Sequence, residues 1–153
     1  MTEQQPYTVL SSTDGIELRH YPAYVLVQVR EPGDFMPAGN RGFQPLVSYI
    51  SGNNATGQKI AMTAPVIQEP FGEADHLVSF VMPADFDFES MPLPVSSRLK
   101  IVPVGEHYAA AIKFSGGWNE QRFAAKGEEL VSAVKSSGLE PMGSVYWARF
   151  DPP

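Results

Sequence analysis

Residues 23–52, AYVLVQVREPGDFMPAGNRGFQPLVSYISG, place a strand and an amphipathic helix next to one another in the chain. The run AYVLVQV (23–29) is rich in β-branched residues, which suit a buried strand. Gly33 to Gly39 reads as loop, with Pro32 and Pro37 interrupting regular structure. Beyond it Phe43, Leu46, Val47 and Ile50 recur at i, i+3, i+4 and i+7, so one face of a helix is apolar. Pro45 is expected in the first turn of that helix, where its missing N–H costs nothing, and Gly52-Asn53-Asn54 closes it.

Working outward, residues 7–21 read as a hairpin turning at Thr13-Asp14-Gly15, with Ile16, Leu18 and His20 alternating on one face. Residues 59–67 are extended, and Pro65 argues for an edge or an irregular strand there. Residues 76–82, 98–104 and 107–115 read as strands, the first two separated by a loop, 83–94, rich in proline and acid. A long helix is expected from Asn119 as N-cap, with Glu120 in its first turn, Lys135 in its last and Gly138 beyond its end. Phe123, Leu130, Val131 and Val134 form its apolar stripe. In the closing strand, 144–150, Tyr146, Ala148 and Phe150 oppose Val145, Trp147 and Arg149. The order implies two similar halves, each with a strand and one helix, and such halves leave room for a groove beside each helix.

At 153 residues, 43% hydrophobic and 18% charged, the chain fits one domain, 1–153, with its own core. Its formal charge of −6 offers no attraction to phosphate backbones or anionic lipid, so neither a nucleic-acid nor a membrane partner is expected. No cysteine is present, which excludes disulfides, thiolate metal sites and a cysteine nucleophile. The N-terminus lacks the basic start and apolar run of a signal peptide, and a cytoplasmic location is expected. His20, His76 and His107 are far apart and follow no metal-ligand spacing; phosphate-binding and nucleophile-elbow motifs are also missing. Asp85, Asp87 and Glu89 lie in a loop without a histidine or basic partner nearby. No catalytic set emerges, and a non-enzymatic role is expected.

One segment stands apart. KIAMTAPV (59–66) combines small residues, a methionine and a proline in an extended run, the composition of a strand that approaches another element closely. Together with IELRHYPAY (16–24), FQPLVSYISG (43–52), FVMP (80–83), FSG (114–116) and ARFDPP (148–153), it resembles the SOUL haem-binding protein family, in the family's order and over nearly the whole chain. The resemblance implies an α+β fold, a distorted antiparallel β-barrel with two flanking helices and a pseudo-twofold repeat. The same architecture resembles gyrase-inhibitor-like effector-binding domains, so fold alone does not choose the ligand.

The resemblance also implies haem, or a related tetrapyrrole, in a shallow apolar groove beside the first helix, serving transport, buffering or storage. Phe43, Leu46, Val47 and Ile50, with Met62, are the expected wall, and Arg41 and Lys59 the expected partners of the propionates. His20 is the candidate axial ligand of the iron. Two other functions stay open at this point: an effector-binding module for amphiphilic or cationic small molecules, and a hydrolase acting on such a ligand.

Overall fold

The computed structural model describes residues 3–115 and 120–150. In chain order the elements are β1 (Glu3–Gln4), β2 (Thr8–Thr13), β3 (Ile16–Tyr21), β4 (Tyr24–Pro32), α1 (Phe35–Ile50), β5 (Thr63–Ala64), β6 (Val66–Phe71), β7 (Asp75–Val81), β8 (Leu99–Val104), β9 (His107–Ile112), α2 (Glu120–Ser136) and β10 (Trp147–Arg149). The fold is α+β. Its described strands form three sheets, none of which closes on itself.

The chain divides into two compact units. The larger holds residues 3–5, 23–105 and 146–150, and is built on a five-stranded sheet in the order β10-β6-β7-β4-β8, antiparallel throughout. β1 and β5 add a short parallel pair. The β-branched run forms the central strand, extended to Pro32, and strand alternation divides its side chains between two faces. Val25, Val27 and Val29 join Val78, Phe80 and Leu99 against Leu46, Tyr49 and Ile50 of α1. Leu26, Ile67 and Val81 form a separate cluster on the other face.

The helix starts earlier than expected. Residues 35–39, read as loop from their proline and glycines, form the first turns of α1, with the Ala38 amide bonded to the Asp34 carbonyl at 2.9 Å. Pro37 sits in the first turn, where an amide has no intrahelical acceptor, so it does not break the helix. Pro45, expected in that turn, instead lies inside the helix, where it cannot donate to the carbonyl four residues back. The glycines have a packing reason. A Cβ on Gly39 would stand 2.5 Å from Gln68 Oε1, and one on Gly42 would stand 2.7 Å from Val78 Cγ2, so α1 lies with its backbone almost on β6 and β7.

The smaller unit, residues 6–22 and 106–145, carries the antiparallel sheet β2-β3-β9 and α2. The hairpin turns as expected, with Asp14 and Gly15 both at positive φ (54° and 79°), the primed geometry that matches strand twist. Buried Arg19 is held by Glu17 (2.8 Å) and the Tyr21 hydroxyl (2.9 Å), with its guanidinium 4.1 Å from the centroid of the Tyr7 ring. Phe123 is the buried apolar anchor of α2, its ring 5.5 Å from that of Phe114. Gly138, at φ 85°, ends the helix by bonding back to Lys135 while Leu139 reaches Val134. The expected N-cap Asn119, Gly116 of the FSG stretch and the terminal DPP of ARFDPP lie outside the described residues.

Gly42→Ala tests the close approach. Helix propensity alone would stabilise the variant by about 1 kcal/mol. Overpacking against Val78 and Val29 costs about 1–3 kcal/mol and is expected to win, lowering the urea midpoint.

Candidate ligand-binding site

Successive residues of an α-helix turn by about 100°, so Arg41 and Phe43 point about 160° apart, and Arg41 and Val47 about 120° apart. The partners follow this geometry. Arg41 lies toward β4, its guanidinium donating to the Pro32 carbonyl and standing 3.8 Å from the Glu31 carboxylate. Glu31, 6% exposed, also accepts from Arg98 at 2.5 Å, so two half-exposed arginines share one buried carboxylate. Phe43 points the other way and packs its ring on Phe80 of β7, 5.3 Å between centroids.

The expected wall residues therefore divide by depth. Leu46 has no exposed surface and Ile50 is 6% exposed, both inside the core. Phe43, Val47 and Met62 are only partly buried, and so is Val66 of β6, packed against the same core from its edge. Phe86 and Ile101 pack on the same core in the same partly buried way, and Phe43 and Val47 are what α1 contributes to this apolar flank.

The sheet register carries this flank to a cation. Ile101, Val27, Phe80, Val66 and Arg149 are successive cross-strand partners over β8, β4, β7, β6 and β10, so all five project from the face on which α1 rests. Trp147, two residues before Arg149 in β10, confirms the face: its ring meets Phe35 of α1 edge-on at 5.0 Å. Burial pushes the half-buried Arg149 guanidinium below its ordinary pKa. Alternation along the chain puts Arg149 and Trp147 on one face of the strand; that this face meets α1 follows only from the assembled sheet.

The segment after α1 is held by one side chain. Asn54, buried, donates to the carbonyls of Tyr49 (2.9 Å) and Gln58 (2.8 Å) and accepts from the Gln58 amide (3.1 Å). Ile60 then bonds to the Ile50 carbonyl at 2.8 Å, which fixes the path of the chain to Met62. Lys59 is exposed on this segment, its stem near Gly52 at the C-terminal end of α1, away from Arg41 along the helix.

His20 belongs to the smaller unit, where its Nε2 lies 3.2 Å from Glu106 Oε2 and its ring 5.2 Å from that of Tyr108. His107 stacks on Tyr21, and His76 meets Phe35 edge-on. Among the described residues no group of three or more His, Asp or Glu could hold a metal ion, and no helix is long and apolar enough to cross a membrane. Of the loop acids, Asp87 accepts from the Ser90 amide at 2.8 Å, and the Ser90 bonds hold its carboxyl below the usual range, as in an ordinary turn. Glu69 is half-buried on the sheet face away from α1, and desolvation raises its pKa.

Comparison with known proteins converges on one family. The model described as "SOUL heme-binding protein" matches residues 2–153. The chain is similar to human "Heme-binding protein 2", 32% identical over 138 residues that cover 86% of this chain and 67% of that one. The family resemblance read from KIAMTAPV and its companions is thereby borne out.

Tyr49 gives a pH test of how α1 is anchored. It is fully buried, its hydroxyl donates to the Pro92 carbonyl at 2.6 Å, and burial pushes its pKa to about 12. The unfolded tyrosine ionises near 10, so stability is whole below pH 10 and falls from there toward about 12, at about 1.4 kcal/mol per pH unit. Urea unfolding followed between pH 9 and 12 should show that fall in the wild type and a shallower one in Tyr49→Phe.

Proposed function

Taking as premise that this chain belongs to the SOUL haem-binding protein family, we propose that it binds haem or a related tetrapyrrole against the uncovered flank of α1. The observation that carries this reading is the set Phe43, Val47, Met62 and Val66, apolar side chains packed on the core yet left partly open beside a half-buried cation. A flat macrocycle needs apolar surface for its face and cations for its carboxylates, and this flank supplies both. Haem when bound supplies the iron and the chromophore; the protein supplies an apolar rest and charge.

The function is carriage, buffering or storage, and not catalysis, in keeping with a family described as haem-binding proteins. Residues 1–153 act as one such domain. The distorted barrel and pseudo-twofold repeat belong to the same proposal; what supports them is that each unit pairs an antiparallel sheet with a single amphipathic helix. Iron ligation by His20 is a separable part of it: it would use Nδ1 while Nε2 stays on Glu106, or Nε2 once that contact opens.

Titration with haem should raise a Soret band that saturates at one equivalent. Val47→Glu puts a charge on the flank and is expected to weaken binding at least tenfold; because Val47 also packs on the core, it should cost about 0.5–3 kcal/mol of stability, so binding is read at a temperature where urea unfolding shows the variant still folded. Absence of a Soret change in the wild type, or unaltered binding by Val47→Glu, would remove the reading. His20→Ala examines the iron separately: a band of unchanged position and intensity would dismiss His20 as ligand.

A further inference from the structure

We propose that Arg149 is the residue that reads a ligand carboxylate at the α1 flank, so that this site selects tetrapyrroles bearing a free carboxylate. The inference rests on the reading of that flank as the ligand's seat. It departs from the expectation that Arg41 and Lys59 would meet the propionates.

Three observations carry it. The first is direction: Arg41 leaves α1 about 160° from Phe43, toward β4. Its charge is met there by buried Glu31, which Arg98 shares, and its guanidinium also serves the Pro32 carbonyl. A ligand lying on Phe43 and Val47 therefore has the body of the helix between itself and Arg41.

The second is register. Arg149 pairs with Val66, which pairs with Phe80, on which Phe43 rests. Neighbouring strands are about 4.8 Å apart, so the Arg149 backbone lies about 10 Å from that of Phe80, on the open side of Val66. A ligand whose ring covers Phe43 and Val66 brings its peripheral substituents to β10, the edge strand of the sheet.

The third is environment. Arg149 is half-buried, and desolvation already disfavours its charge. A carboxylate reaching a guanidinium in such a setting forms a charge-assisted, bidentate bond that is stronger than one made by an exposed lysine. Lys59 is exposed and lies on the segment beyond the opposite end of α1 from Trp147 and β10.

The test compares haem with haem dimethyl ester, which keeps the ring and removes both charges, by Soret titration of the wild type, Arg149→Gln, Arg149→Lys, Arg41→Gln and Lys59→Gln. Arg149→Gln is expected to lose roughly ten- to a hundredfold in affinity for haem and little for the ester. Arg149→Lys keeps a preference for haem over the ester, which guards against a fold defect in the glutamine variant. Arg41→Gln and Lys59→Gln bind both ligands as the wild type does.

Equal weakening of haem and ester by both Arg149 variants would assign the side chain to packing and overturn the inference. Selective loss of haem in Arg41→Gln or Lys59→Gln, with Arg149→Gln unaffected, would overturn it in favour of those cations. A wild type that binds neither compound removes the flank as ligand seat, and this inference with it. A wild type that binds both alike leaves the seat standing and removes only the role of Arg149.

Discussion

The contact of α1 with the five-stranded sheet at Gly39 and Gly42 sets the rest of the larger unit. Both glycines face the sheet, and at each the space for a Cβ is already taken, by Gln68 in one case and Val78 in the other. A helix seated this close cannot roll, because its neighbouring side chains drop into fixed positions. Leu46, Tyr49 and Ile50 fill the sheet surface beside it, and Gln68 donates to the Phe35 carbonyl at 2.8 Å, tying the start of the helix to β6. With the roll settled, Phe43 and Val47 come to lie at the margin of the contact, half in the core and half out.

Electrostatics then divides the two margins. On one, Glu31 is buried and draws in both Arg41 and Arg98, because a desolvated carboxylate left without cations would be costly. On the other the partners are apolar, Phe80, Val66 and Met62, with Arg149 at the end of the row. The same helix thus has an ionic margin, where two half-exposed arginines meet one buried carboxylate, and an apolar one, where the proposed ligand would rest. The segment after α1 is ordered through Asn54, whose single side chain satisfies several backbone groups of residues 49–58, and the Ile60–Ile50 bond then sets the path toward Met62.

Much of this was legible in the chain. The hairpin turn at Asp14-Gly15, the central strand, the helix bearing Phe43, Leu46, Val47 and Ile50, and the ending of α2 before Gly138 all follow from local chemistry, and all are found. The departures from the local pattern lie at proline and glycine. Pro37 costs little in a first turn, and Gly39 and Gly42 serve packing between elements, which no local rule detects. The wall residues were recognised as apolar, but whether each lies inside the core or at its margin depends on helix roll, and periodicity alone treats Leu46 and Val47 alike.

By itself, the sequence determined the α+β class, the order and type of most elements, the family to which the chain belongs and the two faces of each strand. Those properties are written in periods of two and 3.6 residues and in short motifs, which need no knowledge of distant neighbours. Only the tertiary structure decided that Arg149 lies on the sheet face against which α1 and Phe43 pack, and that Arg41 turns to Glu31. That choice joins residues 41, 43, 66, 80 and 149, far apart in the chain, and it turns on strand register and on how closely a helix backbone can approach a sheet.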